Sequence, residues 1–179
     1  MSFWTSPNVT PKFKDRFVVK IAGSLNIFVI SVDKPTLTFD NKEYKMINHH
    51  FKYPGLPKWN TIKFSFVDMN GEGSDNVDAA KYLLELASNS GYENPTGQKS
   101  VSKQNSIDAL GEVQIQQIST SQTGGKIKVT EEWKLINPII KSISWGSLAY
   151  GDDGLVEYTL ELDYDYAEHS AGHNIQGSG

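Results

Sequence analysis

The stretch LVEYTLELDYDY, Leu155 to Tyr166, decides the fold. Its odd positions are Leu155, Glu157, Thr159, Glu161, Asp163 and Asp165; its even positions are Val156, Tyr158, Leu160, Leu162, Tyr164 and Tyr166. A strand sends successive side chains to opposite faces, so the alternation predicts one apolar face and one anionic face. Antiparallel sheets with one wet side show this pattern. Tyr158, Leu160, Leu162 and Tyr164 are therefore candidate core. Four carboxylates without a lysine on the wet side call for a reason.

Working outward, the same alternation recurs. Phe17, Val19 and Ile21 alternate up to Gly23, and Ile62, Phe64 and Phe66 alternate with Lys63 and Ser65. Val113 and Ile115 oppose Glu112, Gln114 and Gln116, and Ile127, Val129, Trp133 and Leu135 share a face beyond a Gly124-Gly125 turn. Another strand is expected within Pro138 to Leu148, before an Asp152-Asp153-Gly154 turn. The segment Asn26 to Asp33 is apolar on both faces, which predicts burial or an interface. One helix is expected at about 75–89, where Val77, Ala80, Leu83, Leu84 and Ala87 follow helical spacing behind a Ser74 or Asp75 cap. Residues 92–108 read as a polar surface loop. Lys34 to Pro57 reads as an extended hairpin or long loop. The sum is a mainly β chain: an antiparallel β-sandwich or barrel with one outer helix. The expected organisation is an extended arm at 1–15, a single β domain at 16–167 and a flexible tail at 168–179.

Composition excludes several classes. At 179 residues, 38% hydrophobic, the chain suits one domain with a real core. No apolar run approaches the roughly 20 residues of a membrane helix, and the N-terminus lacks the basic-then-apolar order of a signal peptide. The expectation is a soluble protein outside the general secretory route. There are no cysteines, so disulfides, thiolate metal sites and cysteine nucleophiles are excluded. Ten of the 17 basic residues fall within the first 70 positions and none follows Lys141, whereas seven acids do. That lysine-free segment would repel nucleic acid.

Catalytic signatures are missing. Asp68 to Gly73 begins like a calcium loop, but Ala79 stands where its bidentate acid belongs. His49 and His50 are adjacent and would point to opposite strand faces. His169 and His173 would form a metal pair only on a helix, which Gly172 opposes. No nucleophile elbow or P-loop occurs. Carboxylates on one solvated strand face lack the asymmetry of an acid/base pair. Neither enzyme nor cofactor is expected. Lys126, Lys128 and Lys134 align on one expected strand, either as the solvated side of an edge strand or as a docking patch for an acidic neighbour.

Three stretches in order, KYPGLPKWNTIKFSF (52–66), GKIKVTEEWKLINPIIKSISWGSL (125–148) and DDGLVEYTLELDYDYAE (152–168), resemble the tail tube protein family of contractile-tailed bacteriophages and related contractile injection systems. The early RFVVKIAG looks like that family's opening strand, and the resemblance spans about residues 16–167. It implies a structural virion protein, assembled in the host cytoplasm into homohexameric rings that stack into a tube for DNA delivery. The subunits' strands would join one intersubunit barrel, with sheath, baseplate and tape-measure proteins as partners and no membrane. A long hairpin would reach the neighbouring ring, making Tyr44, Met46, Ile47, His50, Tyr53, Pro54 and Leu56 contact candidates. Glu157, Glu161, Asp163 and Asp165 would face the lumen, repelling passing DNA, or meet lysines such as Lys126, Lys128 and Lys134 on a neighbour. A baseplate or tube-initiator ring of the same fold stays open. So does a carbohydrate-binding β-sandwich using Trp4, Trp59, Trp133 or Trp145 as stacking platforms.

Overall fold

The computed structural model describes residues 12–22, 24–26, 29–69, 78–93, 95, 97, 100–120, 127–151 and 153–174. In chain order the strands are β1 (Phe17–Ile21), β2 (Ser24–Asn26), β3 (Val29–Val32), β4 (Leu37–Phe39), β5 (Lys42–Met46), β6 (His49–Tyr53), β7 (Pro57–Trp59) and β8 (Ile62–Val67). Helices α1 (Ala79–Asn89) and α2 (Lys103–Leu110) follow, then β9 (Val113–Thr120), β10 (Ile127–Ile136), β11 (Ile139–Ser144), β12 (Glu157–Asp163) and β13 (Tyr166–Asn174). Two antiparallel sheets result, one ordered β13-β10-β9-β1-β2 and the other β11-β12-β8-β3.

The alternation in the sequence is what the core uses. Val19, Ile21, Val113, Ile115 and Leu135 from the five-stranded sheet meet Ile62, Phe64, Phe66, Leu160 and Leu162 from the four-stranded one in a single buried cluster. Tyr158 and Tyr164 close its margins at 8% and 9% exposure. Tyr158, Leu160, Leu162 and Tyr164 are thus core, while Val156 is half-buried and Tyr166 exposed, and the mainly β sandwich architecture expected from the sequence is present. Burying side chains of this size stabilises by about 1.5–3 kcal/mol each.

Both helices cover the four-stranded sheet. α1 buries Ala79, Leu83 and Leu86. It starts at Ala79 rather than 75, because the Asp78 carboxylate accepts the Ala80 and Lys81 amides at 2.9 and 3.1 Å. The Ser74 and Asp75 caps lie outside the described residues. α2 corrects the surface loop expected at 92–108. Ser102 caps it by accepting the Asn105 amide at 3.1 Å, and Gly111, at φ 52, ends it. A Cβ on Gly111 would stand 3.2 Å from the Ala22 backbone, so helix end and β1 approach closely.

Three other expectations change. Asn26 to Asp33 is not one strand: β2 edges one sheet and β3 edges the other, so the chain crosses between sheets there. The tail expected to be flexible from 168 continues β13 to Asn174, held along β10 from Ile136↔Tyr166 to Lys128↔Asn174. The ladder is strand only from Glu157 to Asp163, after which the Asp165 amide bonds the Ile136 carbonyl at 3.0 Å and turns the chain into β13. The arm at 1–15 lies outside the described residues up to position 11, and so does the Gly124-Gly125 turn.

Candidate functional site

The segment between β3 and β8 forms a projecting ribbon. The antiparallel pairing of Val32 with Phe64 is prolonged by Asp33 N–H to the Lys63 carbonyl (3.1 Å) and Asn60 N–H to that of Thr36 (3.0 Å). It continues through Leu37↔Trp59 and Phe39↔Pro57, then Lys42↔Tyr53 to Met46↔His49. The two halves join at a close crossing, where a Cβ on Gly55 would collide with the Asp40 carbonyl at 1.4 Å. Trp59 packs on Tyr164, 6.0 Å between ring centroids, and fixes the base to the body.

Cross-strand partners share a face, so the register sorts the outer ribbon into two. Lys42, Tyr44, Met46, His49, Phe51 and Tyr53 form one face, with edge-on contacts between Tyr44 and Tyr53 (5.9 Å) and His49 and Phe51 (4.7 Å). Glu43, Lys45, His50 and Lys52 form the other, where His50 Nδ1 lies 2.5 Å from Glu43. His50 therefore belongs to the charged face, apart from the apolar contact candidates. Tyr44 and Met46 are each 67% exposed, Ile47 86% and Leu56 83%. Tyr53 and Pro54 are exposed as well. At the two-residue tip Ile47 holds φ 51, a conformation glycine adopts freely and a β-branched residue does not.

Three of the ladder's four carboxylates, Glu161, Asp163 and Asp165, have partners that lie far away in sequence. Glu161 stands opposite Lys63 across β8 and accepts the Ser142 hydroxyl at 3.0 Å across β11. Asp163 accepts the Thr61 hydroxyl at 2.5 Å, and Lys141 donates to the same hydroxyl at 2.8 Å. Glu157 is exposed at the far end of β12. Asp165 leaves the face altogether: it binds Lys103 of α2 at 2.8 and 2.9 Å and Asn137 at 2.8 Å. These bonds, Lys103 foremost, hold its pKa below the usual carboxylate value. The absence of compensating lysine noted in the sequence is thus local only.

Of the three aligned lysines, Lys128 and Lys134 can be placed. Lys126 lies outside the described residues. β10 is an interior strand between β9 and β13, not an edge. Its register to β9 slips between Val129 and Glu131, so Lys128 faces Ser119 while Lys134 faces Gln114, positions of opposite parity on β9. Lys134 bonds Glu112 of its own chain at 2.6 Å.

Sequence reasoning missed Glu131. It sits 8% exposed, accepting Lys12, Lys34 (3.0 Å) and the Trp133 indole N–H (2.6 Å). Burial pushes its pKa up, but hydrogen bonds from Lys12, Trp133 and Lys34 outweigh that and hold it at about 2. The signal was an acid inside the apolar stripe Val129, Trp133, Leu135. Among the described residues no group of three or more His, Asp or Glu side chains could hold a metal. Of the tryptophans, Trp59 and Trp133 are engaged in packing, Trp145 is 45% exposed, and Trp4 lies outside the described residues.

The fold as a whole has structural counterparts. One is a chain of the extended sheath-tube complex of the extracellular contractile injection system PVC: TM-score 0.59, 18% identity, covering 90% of this chain and 92% of that one. Another is from the anti-feeding prophage cap that terminates the tube, at TM-score 0.61 and 17% identity over 96% and 99% of the two chains. A third, from the six-fold symmetrised anti-feeding prophage baseplate, gives TM-score 0.59 and 13% identity over 91% and 97%. The chain therefore has the tail-tube-like fold. No protein-family model and no curated protein matches the sequence.

Proposed function

We propose that this chain is a structural subunit of a contractile-tail or injection-system tube. It forms homohexameric rings that stack around a channel, inside a sheath and above a baseplate, and it catalyses nothing. The carrying observation is the ribbon, a two-stranded arm with an apolar surface that the described residues leave exposed. Exposed apolar patches of this kind mark interaction sites. The edges at β2, β13, β3 and β11, unpaired among the described residues, support the same reading, since a barrel closed across subunits removes edges that would otherwise pair at random. In this reading the outer face of the four-stranded sheet lines the channel. There Glu157, Glu161 and Asp163 outnumber the neighbouring Lys63 and Lys141, and the remaining negative charge repels the phosphates of passing DNA.

A phage tail with a tape-measure protein, assembled in the host cytoplasm, is the specific form we favour. The test is electron microscopy of the purified full chain at high concentration, with rings or tubes expected. A stable monomer under those conditions refutes the proposal. The comparable likeness to a baseplate chain favours a second reading, an initiator ring. Copy number in the particle separates the two, because repeating tube subunits greatly outnumber initiators.

A further inference from the structure

Gln117 and Glu131 point into the gap between the two sheets, although both are polar. They pair across β9 and β10 on the face that carries Ile115 and Trp133, and both are buried. Phe17, Val32, Ile115 and Trp133 give the surrounding cavity of about 700 Å³ an apolar wall. Lys34, just beyond β3, reaches it from the four-stranded sheet. Its Nζ donates to Gln117 Oε1 at 3.1 Å and to Glu131 Oε1 at 3.0 Å. The other side of each partner is fixed as well. Gln117 Nε2 donates to the Phe13 carbonyl at 2.8 Å, which leaves the amide oxygen turned towards Lys34. The Trp133 indole N–H orients the carboxylate at 2.6 Å. An amine, a carboxamide and a carboxylate thus meet at one point. Nucleophile, electrophile and base are already positioned, and no further ordering is needed to bring them together.

We propose that this cluster is a latent cross-linking site, at which Lys34 and Gln117 of one chain join in an isopeptide bond with Glu131 as the catalytic base. Glu131 takes a proton from the Lys34 ammonium, and the freed Nζ attacks Gln117 Cδ. Glu131 passes that proton to Nε2 and takes the second one from Nζ. The Cδ–Nε2 bond breaks with its electron pair on nitrogen, so ammonia leaves, and the second proton follows it into solvent. No oxidant or cofactor is required, and Glu131 ends ionised as it began. Lys12 holds the reaction back by bonding the other carboxylate oxygen, Oε2. Burial pushes the Glu131 pKa up, but Lys12 and then Trp133 hold it at about 2, which makes a weak base. Without Lys12, burial counts for more and proton transfer from Lys34 becomes easier. The bond ties the root of the ribbon to β9 in the opposite sheet, between residues 83 positions apart. A staple over so long a loop stabilises chiefly by constraining the unfolded chain.

Intact-mass spectrometry of the full-length parent and Lys12→Met chains, held folded at mildly alkaline pH, tests this. Lys12→Met is expected to lose the mass of one ammonia severalfold faster than the parent. Its tryptic digest is expected to contain a branched peptide joining Lys34 to Gln117. The parent, which needs no substitution to fold, is expected to give the same branched peptide on longer incubation. Lys34→Arg keeps a cation beside Glu131 but offers no amine, so Lys12→Met/Lys34→Arg is expected to give none. Adding Glu131→Gln to Lys12→Met is expected to slow the bond about a hundredfold, the lower end of what a positioned general base contributes. Absence of the branched peptide from both the parent and a Lys12→Met chain shown folded by circular dichroism overturns the proposal. Ammonia loss that survives Lys34→Arg at the same rate overturns it too, by placing the loss at a different amide. An undiminished rate in the Glu131→Gln chain removes Glu131 as the base, and equal rates in parent and Lys12→Met remove the restraint assigned to Lys12.

Discussion

Replacing Glu131 by glutamine tests whether a buried carboxylate clasps the N-terminal segment and the ribbon's root onto the five-stranded sheet. The substitution keeps shape and an acceptor oxygen for Trp133 but removes the charge that Lys12 and Lys34 share. Those lysines have side chains 49% and 52% exposed, so each keeps its water when the partner is lost. The cost is then mainly the carboxylate's own. A pKa lowered from 4.5 to about 2 corresponds to about 3 kcal/mol, at roughly 1.4 kcal/mol per pH unit. The sign is that of a depressed acid: the contribution is complete above the unfolded pKa near 4.5 and disappears as pH falls through about 2. Glu131→Gln should therefore lower unfolding free energy by about 2–3 kcal/mol at pH 7. The two proteins should converge in stability between pH 4.5 and 2. Urea denaturation of dilute monomer, followed by tryptophan emission across that range, measures both. A variant within about 0.5 kcal/mol of the parent at pH 7, an ordinary surface effect, with an unchanged acid slope would refute the clasp.

Three further outcomes follow from the same geometry. Leu160→Ala empties a fully buried site between the sheets and should cost about 2–5 kcal/mol in thermal or chemical unfolding. Tyr158 donates to Asp68 at 2.7 Å, and that hydrogen bond, aided by burial, raises its pKa to about 12. Stability should fall as pH rises from about 10 towards 12, a decline that Tyr158→Phe should lessen, measured by alkaline unfolding at fixed ionic strength. Ile47→Gly relieves the positive φ at the tip and should leave the monomer unchanged or about 1 kcal/mol more stable. The same variant should assemble less well by sedimentation, and a destabilised monomer would refute the strain.

How far the sequence could be read depends on the range of the interactions. Period-two alternation is local, so the buried halves of β8 and β12 were visible, with Phe64 and Leu160 at their centres. Helix α2 was not, because its buried positions are Ser106 and Leu110. A small polar residue leaves no apolar stripe, and the only signal was the bracket of Ser102 and Gly111. Strand β13 was hidden for the opposite reason: Ala167, Ala171 and Gly172 have weak strand propensity, and pairing with β10 overrides it. The partners of the ladder's acids were out of reach, since Thr61 meets Asp163 and Lys103 meets Asp165 only once the register is set. The slip beside Val129 likewise sets Lys128 and Lys134 against β9 partners of opposite parity, which an uninterrupted pairing would not have done. For the ribbon, the sequence supplied the hairpin, while its division into aromatic and charged faces needed the pairing of Tyr44 with Phe51.

The way the ribbon is rooted has a mechanical consequence. It is a prolongation of β3 and β8 themselves, with β12 bonded alongside β8 from Ile62 to Val67. A pull on the tip therefore loads these strands lengthwise. The ladder bonds between β8 and β12 lie across that direction and share the load in shear, instead of opening one after another like a zip. A filament held together by such arms would pass tension from copy to copy through the middle of each body, and its surface loops would carry little of it.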